Sequence, residues 1–245
     1  GKIETVTGLV LDTDYGAHGQ VTSQTNADGT VATYTYDETK RYRLSRKVTS
    51  GWTSEESAST VVTFYAGGGD GYLSHFAGSW DGVHDAATAT NAYPTSQTSQ
   101  VASVKTPGGY ALNRGFLSFD TSSLPDDATV TGTTLKLYVT SVEDSDNDGN
   151  DWITVVEGLQ ASPTTVDVTD FDSAGWVNSP TEGIDTSGRL DLTSAVTSAY
   201  NPFALNSTGR SWISLTDWST FALREGHDVL DSAYSGPAFS SNNLT

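Results

Sequence analysis

The feature that most constrains this chain is a pair of short apolar runs near its middle, joined by a turn of Pro, Asp and Gly residues. In the second run, Leu135, Leu137 and Val139 alternate with polar or amphipathic residues, as in a β-strand with one face on a core and one in water. In the first run, Phe116 and Phe119 lie three positions apart. That spacing indicates a strand buried on both faces or one that contains a bulge. We therefore expect β-sheet at the centre of the fold.

Short strand-like runs separated by polar turn residues continue through the rest of the chain. No segment of helix length carries an apolar stripe with a period of 3.6. One two-turn helix is predicted over residues 193–200, with Thr193 as its cap. Many short strands between turns are typical of an all-β fold, predicted here as a jelly-roll-like β-sandwich with an N-terminal β-hairpin extension. Further strands are predicted at residues 101–104, 152–156, 188–192, 211–215 and 221–223.

The N-terminal region predicts a hairpin of its own. Two strand-like runs, residues 21–24 and 31–37, flank an Asn-Ala-Asp-Gly-Thr turn, and Asp-Gly in such a position is a strong hairpin signal. The second run ends in Tyr-Thr-Tyr-Asp, and the basic stretch at residues 41–47 follows, beginning Arg-Tyr-Arg-Leu. This pattern resembles a tyrosine–aspartate (YD) repeat of the RHS family, in which tandem repeats wind a long β-sheet into a shell or ribbon. The resemblance implies a sheet-forming segment in residues 1–59, with too few repeats to close a shell.

A Ser/Glu-rich joint at residues 51–59 precedes a second predicted domain, residues 60–245, which opens with the strand-like run Thr-Val-Val-Thr-Phe-Tyr. Three motifs follow: Arg-Gly-Phe-Leu-Ser-Phe-Asp from Arg114, Leu-Lys-Leu-Tyr from Leu135 and Phe-Ala-Leu-Arg-Glu from Phe221. Together they resemble a DNRLRE-type domain. The resemblance implies a β-sandwich without catalytic residues, similar to carbohydrate-binding modules, in a large secreted or surface protein that often carries RHS-type repeats as well.

The end of the chain departs from that family, whose domains usually close with a strand in which Pro precedes alternating apolar residues. Residues 241–245 read Ser-Asn-Asn-Leu-Thr and show no such pattern. A sandwich that lacks a strand exposes an edge and favours pairing with another chain. One hypothesis is that a strand from a neighbouring copy fills the gap, so that copies join head to tail into a filament. The alternatives are that the strand was removed with the rest of a longer protein or lies elsewhere in the sandwich.

The charge of the chain excludes some classes of partner. With 30 acidic and 12 basic residues, its net charge is −18, which disfavours binding to nucleic acid or to an anionic membrane. No apolar run is long enough for membrane insertion. The absence of Cys excludes disulfides, and the absence of Met predicts a processed product of a longer precursor or an excised fragment of one. We expect an extracellular or cell-surface protein, whose basic stretch at residues 41–47 either neutralises nearby acids or binds a polyanion.

The strongest local motif for a cofactor is Asp-Ser-Asp-Asn-Asp-Gly-Asn-Asp, which begins at Asp144. Alternating carboxylates ahead of a Gly match the first half of a calcium-binding loop, in which oxygens converge and the Gly permits the bend. The bidentate Glu of an EF-hand is missing, since Val155 stands at its position. The alternative is a solvated acidic turn without an ion. The predicted Ca2+ ligands are Asp144, Asp146, Asp148, Asn150 and Asp151.

Tryptophans in polar surroundings suggest a glycan site, because exposed aromatic rings stack on sugars and neighbouring Asp or Arg side chains form hydrogen bonds to them. The alternative for each Trp is burial in a core or an interface. Trp152 and Trp212 lead into predicted strands and are expected in the core. The candidate glycan ligands are Trp80, Asp81, Trp176, Trp218 and Arg224.

Nothing in the sequence indicates a catalytic site. The four His residues are scattered, and no Gly-x-Ser-x-Gly motif for a nucleophilic Ser is present. Two trios of possible metal ligands lie close in sequence without the spacing of a hydrolytic zinc site: His75, His84 and Asp85, and Glu225, His227 and Asp228.

We therefore expect a non-catalytic structural or adhesive module whose partners are other copies of itself, as in a filament. One alternative is a carbohydrate-binding module severed from a larger surface protein. The other is a fragment of an RHS-type shell.

Overall fold

The structure is a computed structural model that describes residues 10–17, 19–26, 31–37, 43–50, 60–94 and 99–245. The chain divides into two compact units, Gly1–Val62 and Thr63–Thr245. Antiparallel β-sheet dominates both units, so the predicted all-β fold class is confirmed.

The first unit contains a four-stranded antiparallel sheet in the order β1-β2-β3-β4. Gln24 on the second strand pairs with Ala32 on the third, which confirms the predicted hairpin. The Asp-Gly turn predicted for it falls at residues 27–30, outside the described residues. The four strands are β1 Val10–Tyr15, β2 Val21–Asn26, β3 Val31–Asp37 and β4 Arg43–Ser50.

The second unit consists of short strands, three helices of five residues each and three 3₁₀ turns in the described part of the chain. Its strands are β5 Gly71–Ala77, β6 Asn91–Tyr93, β7 Val101–Thr106, β8 Gly109–Asp120, β9 Thr134–Val139, β10 Val142–Glu143, β11 Trp152–Glu157, β12 Leu190–Asp191, β13 Ala199–Ala204, β14 Trp218–Glu225 and β15 Ser240–Leu244. The helices are α1 Trp80–His84, α2 Ser207–Ser211 and α3 Gly226–Leu230, and the 3₁₀ turns span Val168–Ser173, Thr186–Gly188 and Leu192–Ser194.

A nine-stranded sheet forms the centre of the second unit, and β8 is its longest strand. Seven strands follow the order β10-β15-β7-β8-β14-β11-β12, and β5 pairs with β8 as well, carrying β6 on its far side. Along one edge of β8 the partner is β7 up to Asn113 and β14 from Gly115 onward. The other edge pairs with β5 through Phe116. Arg114 therefore lies where four strands meet.

The two faces of this sheet cover two separate cores. Phe116 packs in one core with Trp80 and Phe171, whereas its neighbour Leu117 packs in the other with Phe203. The first core is covered by α1 and the 3₁₀ turn Val168–Ser173. The second core is covered by a two-stranded sheet of β9 and β13. Strand β8 is thus buried on both faces, which explains the spacing of its Phe residues.

Strand β9 shows the alternation that the sequence predicts. Leu135 and Val139 are buried and Leu137 is half-buried, while the residues between them are exposed. Because β9 pairs with β13 rather than with β8, the turn between the two apolar runs carries the chain from the central sheet to the covering sheet. The sandwich is therefore unequal, with a two-stranded second layer.

Three local predictions are wrong. Residues 60–65 form no regular strand. The predicted helix at residues 193–200 is instead a 3₁₀ turn followed by the start of β13, because Ala199 pairs with Val139. Residues 211–215 begin with the last residue of α2 and continue as a loop; the first turn of α2 is capped by the side chain of Asn206. In the last two regions, tertiary pairing and capping prevail over weak local preferences.

The hypothesis of a missing final strand is also wrong. Strand β15 lies between β7 and β10, and Leu244 pairs with both Val101 and Val142. Leu244 is 4% exposed and packs in the core. The strand escapes recognition because two of its buried side chains are polar, Ser241 and Asn242, and both form hydrogen bonds to carboxylates. The chain itself therefore fills the edge that a neighbouring copy was expected to fill.

None of the helices in the described part of the chain has the length and apolarity that a membrane crossing requires.

Candidate functional site

Four carboxylates converge in the link between β10 and β11, and we call them the acidic cluster: Asp144, Asp146, Asp148 and Asp151. The link turns sharply because Gly149 adopts a φ of +95°, a conformation that favours Gly. The backbone amide of Gly149 then donates to Asp151 Oδ2 at 3.0 Å, and the amide of Asn150 donates to Asp148 Oδ1 at 3.0 Å. The bend that the sequence predicts thus brings carboxylates from both sides of the Gly together.

Residues of two other elements, β15 and α3, contact the acidic cluster. From β15, the Asn242 amide donates to Asp146 Oδ1 at 2.9 Å and to Asp151 Oδ1 at 2.8 Å. From α3, His227 Nε2 lies 3.2 Å from Asp148 Oδ2. The close approach depends on Gly226, since a Cβ atom there would lie 2.1 Å from the carbonyl oxygen of Asn150. The structure places that backbone carbonyl against α3.

Two buried carboxylate oxygens in the cluster accept no hydrogen bond, Asp144 Oδ1 and Asp146 Oδ2. The Asp146 side chain is 4% exposed, and the nearest basic nitrogen, His227 Nε2, lies 3.4 Å from its Oδ2. Ligand atoms of Asp144, Asp146 and Asp151 all lie within 4.8 Å of one another, and so do those of Asp146, Asp148 and His227. Either set has the spacing of ligands around one ion.

Burial and mutual repulsion shift the pKa values in this region. Burial, with the charge of Asp151, raises the pKa of Asp144, and burial together with Asp151 also raises the pKa of Asp146. Burial disfavours the charged form of His227, but hydrogen bonding to Glu225 and the nearby carboxylates outweigh it and raise its pKa to about 9. His227 therefore carries a positive charge at neutral pH.

A second buried group of charges also involves residues 224–228. We call it the arginine pair: Arg114, Arg224 and the carboxylate of Asp228 between them. Arg114 Nη2 donates to Asp228 Oδ1 at 2.7 Å and Arg224 Nε donates to Asp228 Oδ2 at 2.7 Å. The remaining guanidinium donors reach backbone carbonyls, including that of Phe171 at 2.9 Å. Burial opposes ionisation of Asp228, but the two arginines outweigh it and hold its pKa well below its usual range.

The predicted glycan ligands do not form one site. Trp80 is 7% exposed and donates to Asp231 Oδ1 at 3.0 Å, and Arg224 is fully buried in the arginine pair. Neither can contact a sugar, so those two predictions are wrong. Trp80 was misjudged because its polar sequence neighbours, such as the exposed Asp81, face outward while its ring packs into a core. Trp218 is half-buried and covers the backbone of Gly67.

Trp176 is the exception, with 71% of its surface exposed. It lines a cleft of about 190 Å³ together with Trp212, which packs only partly against the core. Glu157, Thr181 and Thr208 supply polar groups to the cleft. Trp152, by contrast, is buried as expected. The guanidinium carbon of Arg189 lies 3.6 Å from the centre of its ring.

The two sequence trios containing His are separated by the fold. His84 is buried and its Nδ1 lies 2.7 Å from Asp85 Oδ1, whereas His75 contacts Thr90 Oγ1 at 3.2 Å. In the second trio, His227 Nδ1 pairs with Glu225 Oε1 at 2.8 Å while Asp228 turns to the arginines. No potential metal cluster among the described residues includes the first trio.

Sequence reasoning missed Asn242 and the participation of His227 in the acidic cluster. Both are distant in sequence from residues 144–151, and only the pairing of β15 with β7 and β10 brings Asn242 there. A usable signal was the sequence Arg-Glu-Gly-His-Asp at residues 224–228, where four ionisable residues directly follow an apolar run.

Comparison with known families gives one match: the RHS Repeat model matches residues 15–51. These residues contain β2, β3 and β4, so the predicted RHS resemblance in this region is supported. No finding supports the DNRLRE resemblance of residues 60–245, which stays a prediction. Neither the curated proteins nor the solved structures contain a match to the chain.

Proposed function

We propose that the chain is a non-catalytic building block of an extracellular assembly, in which the sheet of the first unit is continued by the same sheet of another copy. The observation that carries the proposal is that the sheet containing the RHS-matched strands β2, β3 and β4 has two edge strands whose sequences differ in the sign of their charge. Within the described residues, β1 and β4 each pair with a single strand. The outer edge of a sheet can extend its pairing to a strand of another chain.

The sequences of the two edge strands carry complementary charges. Strand β1 contains Asp12 and Asp14, whereas β4 contains Arg43, Arg46 and Lys47. Because the order β1-β2-β3-β4 is antiparallel throughout, a copy translated along the sheet would place its β1 antiparallel to β4 of the first copy. Such a head-to-tail contact does not close on itself and generates a filament. The proposed contact differs from the predicted exchange of a final strand between copies. That exchange has no vacant position to fill, because β15 of the same chain already pairs with β7 and β10.

Two further observations support the non-catalytic and extracellular parts of the proposal. The buried Arg114, Arg224 and Asp228 side chains are engaged with one another and with backbone carbonyls, which is a structural use of charged groups. RHS repeats are typical of extracellular and cell-surface proteins, so the match at residues 15–51 favours that location.

Analytical ultracentrifugation and negative-stain electron microscopy of the full chain test the proposal. We expect concentration-dependent filaments, and their loss in a variant with Arg46→Glu and Lys47→Glu. A variant with Asp12→Lys and Asp14→Lys should also stay monomeric, but an equimolar mixture of the two variants should assemble, since each junction again joins opposite charges. Lys136→Glu, an exposed change in the second unit, is the control and should leave assembly intact. Monomers of the unmodified chain at every concentration would contradict the proposal.

Glycan binding is a second candidate, favoured by the cleft that Trp176 and Trp212 line. An exposed indole beside carboxylate and hydroxyl groups is a suitable surface for a sugar ring. Glycan-array binding by the full chain should be lost in Trp176→Ala and kept in Tyr65→Ala, whose side chain is 83% exposed and lies outside the cleft. Equal binding by both variants would place any glycan site elsewhere.

The third candidate, a fragment of an RHS-type shell, makes a different prediction. It requires many tandem YD repeats beside residues 15–51 in the parent gene, which its sequence would reveal.

A further inference from the structure

The acidic cluster contains more negative charge than the described groups around it can neutralise. Its four carboxylates are joined by Glu225, which is fully buried and accepts hydrogen bonds from Ser103 and from the His227 backbone amide. The basic group that contacts these carboxylates in the described structure is His227. Arg224 is turned away from the cluster toward Asp228. Like charges at this separation in a partly buried site repel strongly unless a cation lies among them.

A second observation points to the position of that cation. The Asp146 side chain is 4% exposed, and its Oδ2 accepts no hydrogen bond, with His227 Nε2 at 3.4 Å as its nearest basic nitrogen. Asp144 Oδ1 is likewise buried and without a donor. Buried carboxylate oxygens nearly always have a donor or an ion, because an unpaired one loses its hydration without compensation. Both oxygens belong to residues of the same ligand set, Asp144, Asp146 and Asp151.

The ligand atoms select the class of ion. The set that contains both unpaired oxygens is made of carboxylates alone, which suits a hard cation. Its ligand atoms lie within 4.8 Å of one another, as expected for oxygens about 2.4 Å from a central Ca2+. In the alternative set, both ring nitrogens of His227 already contact carboxylates, Nδ1 at Glu225 and Nε2 at Asp148. A nitrogen-preferring ion such as Zn2+ therefore has no free imidazole ligand there.

We propose that Asp144, Asp146 and Asp151 bind one Ca2+ ion, and that the ion fixes the C-terminal strand β15 to the rest of the second unit. The connection runs through Asn242, whose amide donates to both Asp146 and Asp151. Neutralising those carboxylates removes the repulsion among them, which otherwise opposes the arrangement in which Asn242 contacts both. This inference is independent of the proposed function, since it concerns the second unit alone.

Calcium titration of the full chain after dialysis against a chelator tests the site. Isothermal titration calorimetry should give one Ca2+ per chain, with a dissociation constant between about 10⁻⁶ and 10⁻³ M. At about 100-fold excess over that constant, the melting temperature should rise by about 5–10 °C. Mg2+ should bind more weakly, because it demands a smaller, octahedral ligand shell.

The variant Asp146→Asn keeps the size of the side chain and removes its charge. With chelator present it should melt above the unmodified chain, since one repelling charge is gone, and with Ca2+ present it should melt below it. This reversal distinguishes an ion ligand from a residue with only a packing role, which would change stability in the same direction under both conditions. Asp126→Asn, an exposed change that alters net charge equally, should bind Ca2+ normally.

Three outcomes would overturn the proposal. One is the absence of stoichiometric Ca2+ binding at millimolar concentration. Another is full binding in both Asp146→Asn and Asp144→Asn. The third is tight Zn2+ binding that is lost in His227→Gln and exceeds Ca2+ binding, which would assign the ion to the set of Asp146, Asp148 and His227 instead.

Discussion

The acidic cluster and the arginine pair are two buried groups of charges that share a segment of chain and differ in balance. Residues 224–228 contribute to both, because Glu225 and His227 face the acidic cluster whereas Arg224 and Asp228 face the arginine pair. In the arginine pair, two guanidinium groups surround one carboxylate, and both oxygens of that carboxylate accept hydrogen bonds. In the acidic cluster, carboxylates outnumber cations and two oxygens lack a donor.

The difference shows that burial of charge serves two purposes in one domain. A carboxylate between two guanidinium groups is complete without any ligand, and removal of any member leaves the others uncompensated. A group of carboxylates is complete only with a cation, so its stability depends on the surroundings of the protein. The first arrangement joins strands β8 and β14 to α3 without a ligand. Under the proposed calcium site, the second makes the attachment of β15 depend on the ion.

The largest effect is expected from Asp228→Asn. The substitution keeps the shape of the side chain but leaves two buried guanidinium groups without a countercharge, so the free energy of unfolding should fall by about 3–5 kcal/mol. Guanidinium chloride unfolding, with the slope checked for constancy, measures the loss. It should be the same with calcium and with chelator. Asp231→Asn is the control, because that carboxylate is half-exposed, and it should cost far less. A loss below about 1 kcal/mol for Asp228→Asn would contradict the importance of charge balance there.

A smaller effect is expected from Asn242→Asp, which adds a carboxylate to the acidic cluster and removes its amide donor. With chelator present, the free energy of unfolding should fall by about 2–3 kcal/mol, the value of hydrogen bonds to charged groups. Calcium should reduce that deficit, because the added carboxylate attracts the ion. Asn243→Asp, on the same strand but only half-buried, is the matched control. A deficit that calcium leaves unchanged would indicate that the cluster does not respond to a cation.

The sequence predicts the parts of the fold that rest on local pattern. The alternation at Leu135, Leu137 and Val139 predicts β9, and the hairpin signal around residues 27–30 predicts the pairing of β2 with β3. The same holds for the acidic loop, because closely spaced Asp residues before Gly149 must converge when the chain bends. These features depend on neighbours within about ten residues.

The parts that could not be predicted depend on partners distant in sequence. Strand β15 is polar, and its buried Asn242 is intelligible only beside Asp146 and Asp151, which lie about a hundred residues earlier. Trp80 lies among polar residues in sequence but is covered by Tyr110, with ring centres 5.6 Å apart. Polar sequence neighbours do not make a Trp exposed, and a polar strand is not necessarily an exposed one. In both cases the decisive contact comes from a segment that is distant in sequence.

Asp70 offers a third way to bury a carboxylate, by protonation, and it gives the smallest expected effect. It has one backbone donor, the amide of Ser118 at 2.9 Å, and burial raises its pKa to about 6 despite that hydrogen bond. Between pH 4 and pH 6 the carboxyl ionises in the unfolded chain before it does so in the folded one, so its contribution to stability falls as the pH rises.

The substitution Asp70→Asn keeps the acceptor for Ser118 and removes the charge. At pH 7 the variant should therefore be more stable than the unmodified chain, by about 1 kcal/mol once solvent screening of a half-buried group is allowed for. Near pH 4 the two should unfold at nearly the same denaturant concentration, because Asp70 is then largely protonated when folded. Denaturant unfolding at the two pH values measures the difference. A variant less stable than the unmodified chain at pH 7 would contradict the raised pKa of Asp70. It would indicate that folded Asp70 is stabilised as an anion, as Asp228 is.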